Sequence, residues 1–173
     1  MEPNHSLVPR ELARVNLTVS QDRMNSQSPS RSPKKKMCNA IFITLSNGKK
    51  VSYLHTISES KKNSPTVLFI HGRGGSIHSL RSECVERYCK QNDISFFAFD
   101  LLGHGNSDGE KSEILISDWV AQIHEVIDIF YKQLSVSPDT DKMLICGYSM
   151  GGYLTCLALR EKKILGKIDS VLL

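Results

Sequence analysis

The sequence predicts an α/β fold: a mostly parallel sheet opened by an antiparallel hairpin, with helices on both faces. Three observations predict it. Near-continuous apolar runs recur at residues 66–70, 94–99 and 143–146, the pattern of strands buried on both faces. Each run opens into a glycine-bearing loop, and each loop is followed by residues with helical apolar spacing. Ahead of them, Asn47-Gly48 separates two shorter strand-like stretches.

The elements follow in order. Residues 1–39 are polar, lack a sustained hydrophobic period and finish in Ser28-Pro29-Ser30-Arg31-Ser32-Pro33-Lys34-Lys35-Lys36. Such a segment cannot bury enough apolar surface to fold, so it is expected to be disordered, and the folded domain to span 40–173. Ile41, Phe42, Ile43, Thr44 and Leu45 predict a strand, Asn47-Gly48 a two-residue turn, and Val51, Tyr53 and Leu54 the returning strand. A polar linker from Ser58 to Pro65 leads to the first buried strand. Ile77, Leu80, Cys84, Val85 and Tyr88 then predict the apolar face of a first helix, and the strand at 94–99 ends at Asp100. Ser117 is placed to cap a second helix whose face is Trp119, Val120, Ile123, Ile127, Phe130 and Leu134, closed by Pro138. After the strand at 143–146, Met150, Tyr153, Leu154, Leu157 and Ala158 share one side of a third helix. Gly166 ends that stretch, and Ile168, Val171, Leu172 and Leu173 begin another strand.

Charge and composition exclude several functions. The net charge of +4 belongs to residues 1–39, with seven Lys or Arg against three acids; the remainder holds fifteen of each. A neutral domain offers no electrostatic footprint for nucleic acid. No run approaches the length of a membrane span, and the first thirty residues lack the apolar block of a secretory signal, so an intracellular protein is expected. Arg10, Arg14, Arg23 and Arg31 suit an organelle transit peptide, whereas Glu2, Glu11 and Asp22 oppose it. Five cysteines, an odd number without a CxxC pair, predict free thiols and no metal site.

The chemistry concentrates at Gly147-Tyr148-Ser149-Met150-Gly151, a G-x-S-x-G between a buried strand and an amphipathic helix. A serine on so sharp a strand-to-helix turn needs almost no side chain two residues before and after it. The turn lifts the Ser149 hydroxyl clear of the sheet and points the helix N-terminus at it, so the Met150 N–H can stabilise a developing oxyanion. His71-Gly72-Arg73-Gly74-Gly75, after the first buried strand, is placed to supply the second donor, the Arg73 N–H. His71, at the end of that strand, reads as a structural histidine. Gly103-His104-Gly105 is no dinucleotide fingerprint, because the third glycine falls at 109 instead of 108, so no cofactor is expected.

Residues 40–173 resemble the α/β-hydrolase family through Ile70-His71-Gly72-Arg73-Gly74, Asp100-Leu101-Leu102-Gly103-His104-Gly105-Asn106-Ser107 and Gly147-Tyr148-Ser149-Met150-Gly151-Gly152. Phe99-Asp100, Ser107-Asp108-Gly109 and Ser117-Asp118-Trp119, with a Glu83-bearing first helix, are most similar to the intracellular acyl-protein thioesterases, a subgroup that resembles acyl-glucuronide esterases and has mitochondrial members. The resemblance implies a cofactor-free serine hydrolase of carboxylic esters or thioesters, S-acylated protein among its substrates, in mitochondria or the cytoplasm. It makes Ser149 the nucleophile, Arg73 and Met150 the oxyanion-hole residues, and Asp100 with residues 103–107 loop formers outside the triad. In the family an acid and then a histidine follow the nucleophile. Here no histidine follows Ser149, and the acids beyond it are Glu161 and Asp169. The expectation is therefore a C-terminally shortened hydrolase, its last strands absent, with negligible turnover and an apolar edge prone to association. The alternative is a non-catalytic binding protein that keeps the hydrolase surface.

Overall fold

In the computed structural model, which describes residues 40–59, 64–133, 143–161 and 164–173, the chain runs through β1 (Ile41–Thr44), β2 (Lys50–Thr56), β3 (Thr66–Ile70), α1 (Leu80–Gln91), β4 (Ser95–Phe99), α2 (Ile116–Gln133), β5 (Met143–Gly147), α3 (Met150–Leu159) and β6 (Ile168–Leu172). The expectations for residues 1–39, Leu134 and Pro138 lie outside the described residues. The strands form one sheet in the order β1-β2-β4-β3-β5-β6. β1, β2 and β4 pair antiparallel, and β4, β3, β5 and β6 pair parallel, as the hairpin and the buried runs predict.

The hairpin turn is longer by one residue than expected. Leu45 N donates to Lys49 O and Gly48 N to Leu45 O, each at 2.9 Å, which leaves Ser46, Asn47 and Gly48 in the loop. Gly48 takes the left-handed position at φ 81°, and Asn47 Oδ1 accepts from Lys49 N. Asn-Gly serves this three-residue loop as well as a two-residue one, because both need a residue at positive φ.

Side chains alternate across each strand, so the sheet carries apolar groups on both faces. Leu68, Ile70, Phe97, Phe99 and Ile145 pack under α2 and α3, with Ile123, Ile127, Phe130 and Leu154. Phe69, Phe96 and Ala98 pack under α1, with Cys89 and Val85. The face expected for α1 is only partly the one it buries. Ile77 is buried in the loop ahead of the helix, while Leu80, Cys84 and Tyr88 are exposed. Leu80, Cys84 and Val85 instead line an open apolar trough of about 650 Å³, closed on its other side by Phe69, Cys146 and Leu172.

Two helix ends also differ from expectation. Ser117 lies inside α2, and the helix start is fixed by Asp118, whose Oδ2 accepts from Leu115 N at 2.9 Å. A first-turn carboxylate both satisfies an otherwise orphaned N–H and suits the positive end of the helix dipole. α3 stops at Leu159; Gly166 belongs to a separate 3₁₀ turn, Leu165–Lys167. β6 is the edge strand beside β5; Val171 and Leu172 are exposed on it, as is Leu173 directly after it.

Candidate functional site

β3 and β5 lie side by side with Ile70 opposite Gly147, so the loops leaving their C-terminal ends begin as neighbours. β5 turns into α3 through Tyr148 and Ser149. Ser149 is exposed and sits at φ 53°, ψ −117°, outside the ordinary left-handed well, and its side chain makes no capping hydrogen bond. Asp93 shares that φ but follows the C-terminus of α1, where the left-handed conformation is common for short polar residues. Strain of the Ser149 kind costs about 1–3 kcal/mol and persists where the surroundings enforce it.

The enforcing contacts are glycine contacts. A Cβ on Gly147 would lie 2.7 Å from Gly152 Cα, so the chain passes itself there, as the motif predicts. A Cβ on Gly151 would lie 2.2 Å from Ile70 O and 2.7 Å from His71 O. The second glycine is therefore required by the end of the adjacent strand β3. From the other side, a Cβ on Gly72 would meet Ser149 Cβ at 3.2 Å and Tyr148 O at 3.0 Å. The loop 71–75 is thus pressed against the serine turn. Arg73 is exposed on that loop, and Met150 opens α3 directly after Ser149.

His71 holds the loop from below. It is buried; its Nδ1 lies 2.8 Å from Gly72 O and its Nε2 accepts from Leu101 N at 3.0 Å. The second bond requires an unprotonated Nε2, so Nδ1 carries the proton and donates to Gly72 O. Both nitrogens are committed, which agrees with a structural histidine. Asp100, fully buried, accepts from Ile77 N at 2.8 Å through Oδ1 and from Asn106 N at 3.0 Å through Oδ2. One carboxylate thereby ties the loop after β3 to the loop after β4. Gln122 carries a role that the sequence does not announce: its Nε2 donates to Asp100 O and its Oε1 accepts from Leu102 N, while Trp119 Nε1 donates to Leu102 O. The only sequence signal for it is a polar residue on the buried face of α2.

Three more histidines, His55, His124 and His104, are built into the fold in different ways. His55 packs edge-on against Phe97 and Phe130. His124 contacts Ala158 O through Nε2 and Glu161 through Nδ1. His104 is buried beside His71 and Trp119, with Nδ1 at 3.2 Å from Leu102 O and Nε2 without a hydrogen-bond partner among the described residues. The thiols offer no rival to Ser149 as nucleophile at the turn: burial pushes Cys146 up, and pushes the Cys89 thiol up to about 11.

Burial also holds His55, His71 and His104 below the ordinary imidazole value of 6.5. The folded chain binds these protons less readily than the unfolded chain. Their contribution to stability is therefore complete above about pH 6.5 and is lost as pH falls through their folded values. The urea midpoint is expected to be level near neutrality and to fall steadily below about pH 6.5, and His55→Phe is expected to flatten part of that fall. A midpoint unchanged between neutrality and mild acid would show that these imidazoles are not buried in the neutral form.

Comparison with known proteins places this arrangement. The family described as serine aminopeptidase, S33, matches residues 61–172. The chain is 30% identical over 94 residues to a Bos taurus protein described as palmitoyl-protein thioesterase ABHD10, mitochondrial, covering 54% of this chain and 28% of that protein. It is 31% identical over 98 residues to the Homo sapiens monoglyceride lipase, covering 57% and 31%. The chain thus spans about a third of the length of these curated relatives. Among solved structures it superposes on Est1E from Butyrivibrio proteoclasticus, described with bound ferulic acid, with a TM-score of 0.66 at 22% identity, covering 76% of this chain and 51% of that one. Mouse α/β-hydrolase domain-containing protein 10 gives a TM-score of 0.62 at 21% identity, covering 78% and 48%. No helix among the described residues is long and apolar enough to cross a membrane. With its sheet order, its serine turn and the match over residues 61–172, the chain belongs to the α/β-hydrolase family, in the group described as serine aminopeptidase, S33.

Proposed function

We propose that the chain carries the nucleophile of a serine hydrolase acting on carboxylic esters or thioesters. The observation that supports this reading most is Ser149 itself, exposed at a strained strand-to-helix turn with the glycine loop 71–75 against its Cβ. In this reading Ser149 Oγ attacks the acyl carbon, the carbonyl π bond breaks toward its oxygen, and the Arg73 and Met150 N–H groups hold the resulting oxyanion. Neither N–H forms a hydrogen bond within the protein among the described residues, so both remain available to a substrate oxygen. Collapse of the intermediate expels the alcohol or thiol, and water hydrolyses the acyl-serine. Names of relatives supply the substrate class: one is a palmitoyl-protein thioesterase and one a monoglyceride lipase, so an acyl ester or thioester, S-acylated protein included, is proposed here, with mitochondrial placement by the same likeness.

The step needs a base for the serine proton. His71 has both nitrogens engaged, and no histidine follows Ser149. We assign the base to sequence outside these 173 residues. Without it, the oxyanion hole and binding alone leave roughly 10³- to 10⁴-fold over water. A fluorophosphonate probe is expected to label Ser149 in a longer form that supplies the base, to label the 173-residue chain far more slowly, and to leave Ser149→Ala unlabelled. Equal labelling of Ser149→Ala would remove the nucleophile. Rapid labelling of the shorter chain that is lost in His104→Ala would overturn the assignment of the base. A chain that never labels in the longer form would leave the non-catalytic binding reading in its place.

A further inference from the structure

Beside the serine turn, on the side of α1, a polar cavity of about 150 Å³ is walled by Gly72, Arg73, Gly74, Gly75, Arg81 and Tyr148. Two arginines and no acidic residue line it. Neither arginine forms an ion pair with an acid among the described residues. Arg81 is held with its guanidinium 4.4 Å from the centre of the Tyr148 ring, one residue before Ser149. A guanidinium held over a ring by cation–π attraction keeps N–H groups to donate elsewhere. Arg73 lines the same cavity from the loop 71–75. Asp100, the carboxylate behind that loop, is buried, already accepts from two amides, and does not line the cavity.

Two arginines on one small cavity, with no acidic counter-ion among the described residues, are the chemistry that binds oxyanions. The cavity shares a wall with the reactive turn. Gly72 lines it, and a Cβ on Gly72 would meet Ser149 Cβ at 3.2 Å. We propose that Arg73 and Arg81 form an anion-recognising subsite that takes a carboxylate or phosphate group of the ester or thioester substrate, so that charged acyl or leaving groups are preferred over neutral ones. The word substrate rests on the proposed role of Ser149; the binding of an anion does not. The two side chains would then set specificity, while the loop backbone serves the oxyanion.

The test is a titration of the isotopically labelled 173-residue chain followed by amide and guanidinium NMR, with inorganic phosphate in one arm and monomethyl succinate in the other. Saturable shifts are expected at Gly72, Gly74, Gly75 and the Nε–H groups of Arg73 and Arg81, and the probe that binds more tightly names the group. Arg73→Gln and Arg81→Gln are each expected to weaken binding about two- to fivefold, as for exposed charge pairs, and the double variant to abolish saturation. Both side chains are exposed, so the variants keep the dispersed spectrum of the folded chain, and Lys132→Gln at the far end of α2 keeps the affinity. Shifts spread over all basic residues without saturation, or affinity unchanged in the double variant, overturn the subsite. The fluorophosphonate result separates the two readings. Anion binding with no labelling of Ser149 in the longer form rejects the nucleophile alone, and labelling without anion binding rejects the subsite alone.

Discussion

Gly151→Ala is expected to cost at least about 4 kcal/mol, enough to leave most of the chain unfolded or aggregated at room temperature. The added Cβ would lie 2.2 Å from Ile70 O, 2.7 Å from His71 O and 2.8 Å from Ile70 C. All three contacts are backbone, at the end of a central strand hydrogen-bonded on both sides, so no rotamer change relieves them. Either α3 moves away from the sheet or β3 shifts in register, and each breaks part of the core that includes Leu68, Ile70 and Leu154. Gly166→Ala is the control. Gly166 is exposed, a methyl group added to it would meet no heavy atom within 4 Å, and its φ is not positive. Alanine there is expected to change stability by less than about 1 kcal/mol, in the stabilising direction, by restricting the unfolded chain. Urea unfolding of both variants checks the pair. Similar midpoints for the two would mean that β3 and the serine turn are not packed this closely.

Asp100→Asn is expected to cost about 2–4 kcal/mol and to loosen two loops together. The native carboxylate accepts from Ile77 N and Asn106 N with different oxygens. An amide keeps one acceptor and puts an NH₂ group against the other N–H, so a buried donor faces a donor. Gly105 adds to the constraint: a Cβ there would lie 2.0 Å from Asp100 Oδ2, so the loop cannot be rebuilt around a larger residue. Hydrogen exchange at the amides of Ile77 and Asn106 is the direct readout, and exchange should rise at both sites together. Because the loop 71–75 leads into Ile77, fluorophosphonate labelling of a complete form is expected to fall as well, without any contact between Asp100 and the probe. Unchanged exchange at Ile77 would dissociate the carboxylate from that loop.

Several parts of this architecture are legible without coordinates because they depend on local chemistry. Phe96 to Phe99 read as a strand buried on both faces because every residue is apolar, and β4 buries all of them. Asn47-Gly48 marks a turn because one residue must take positive φ, although its length depends on how Leu45 and Lys49 pair. The buried face of α1 is harder to read. Leu80, Cys84 and Tyr88 obey helical spacing, but spacing specifies only that a face exists; the rotation of the helix on the sheet is set by Cys89 and Val85 meeting Phe69, Phe96 and Ala98. Ser117 has the right residue type for a cap, yet Asp118 fixes the start of α2 because its side chain reaches Leu115 N. Gln122 is illegible for the same reason: nothing near it in sequence shows that its amide bridges Asp100 O and Leu102 N.

By itself the sequence determined the order of strands and helices, the position of Ser149 between a buried strand and a helix, and the absence of any histidine after it. These follow from periodicity, from glycine spacing and from simple reading of residue types, all short-range properties. Only the tertiary structure decided that Gly151 is required by Ile70 and His71, that the tautomer of His71 is fixed between Gly72 O and Leu101 N, and that Arg81 lies over the Tyr148 ring on a cavity it shares with Arg73. Each of these depends on at least one contact between residues far apart in the chain, and such residues meet because parallel strands bring distant loops to the same end of the sheet.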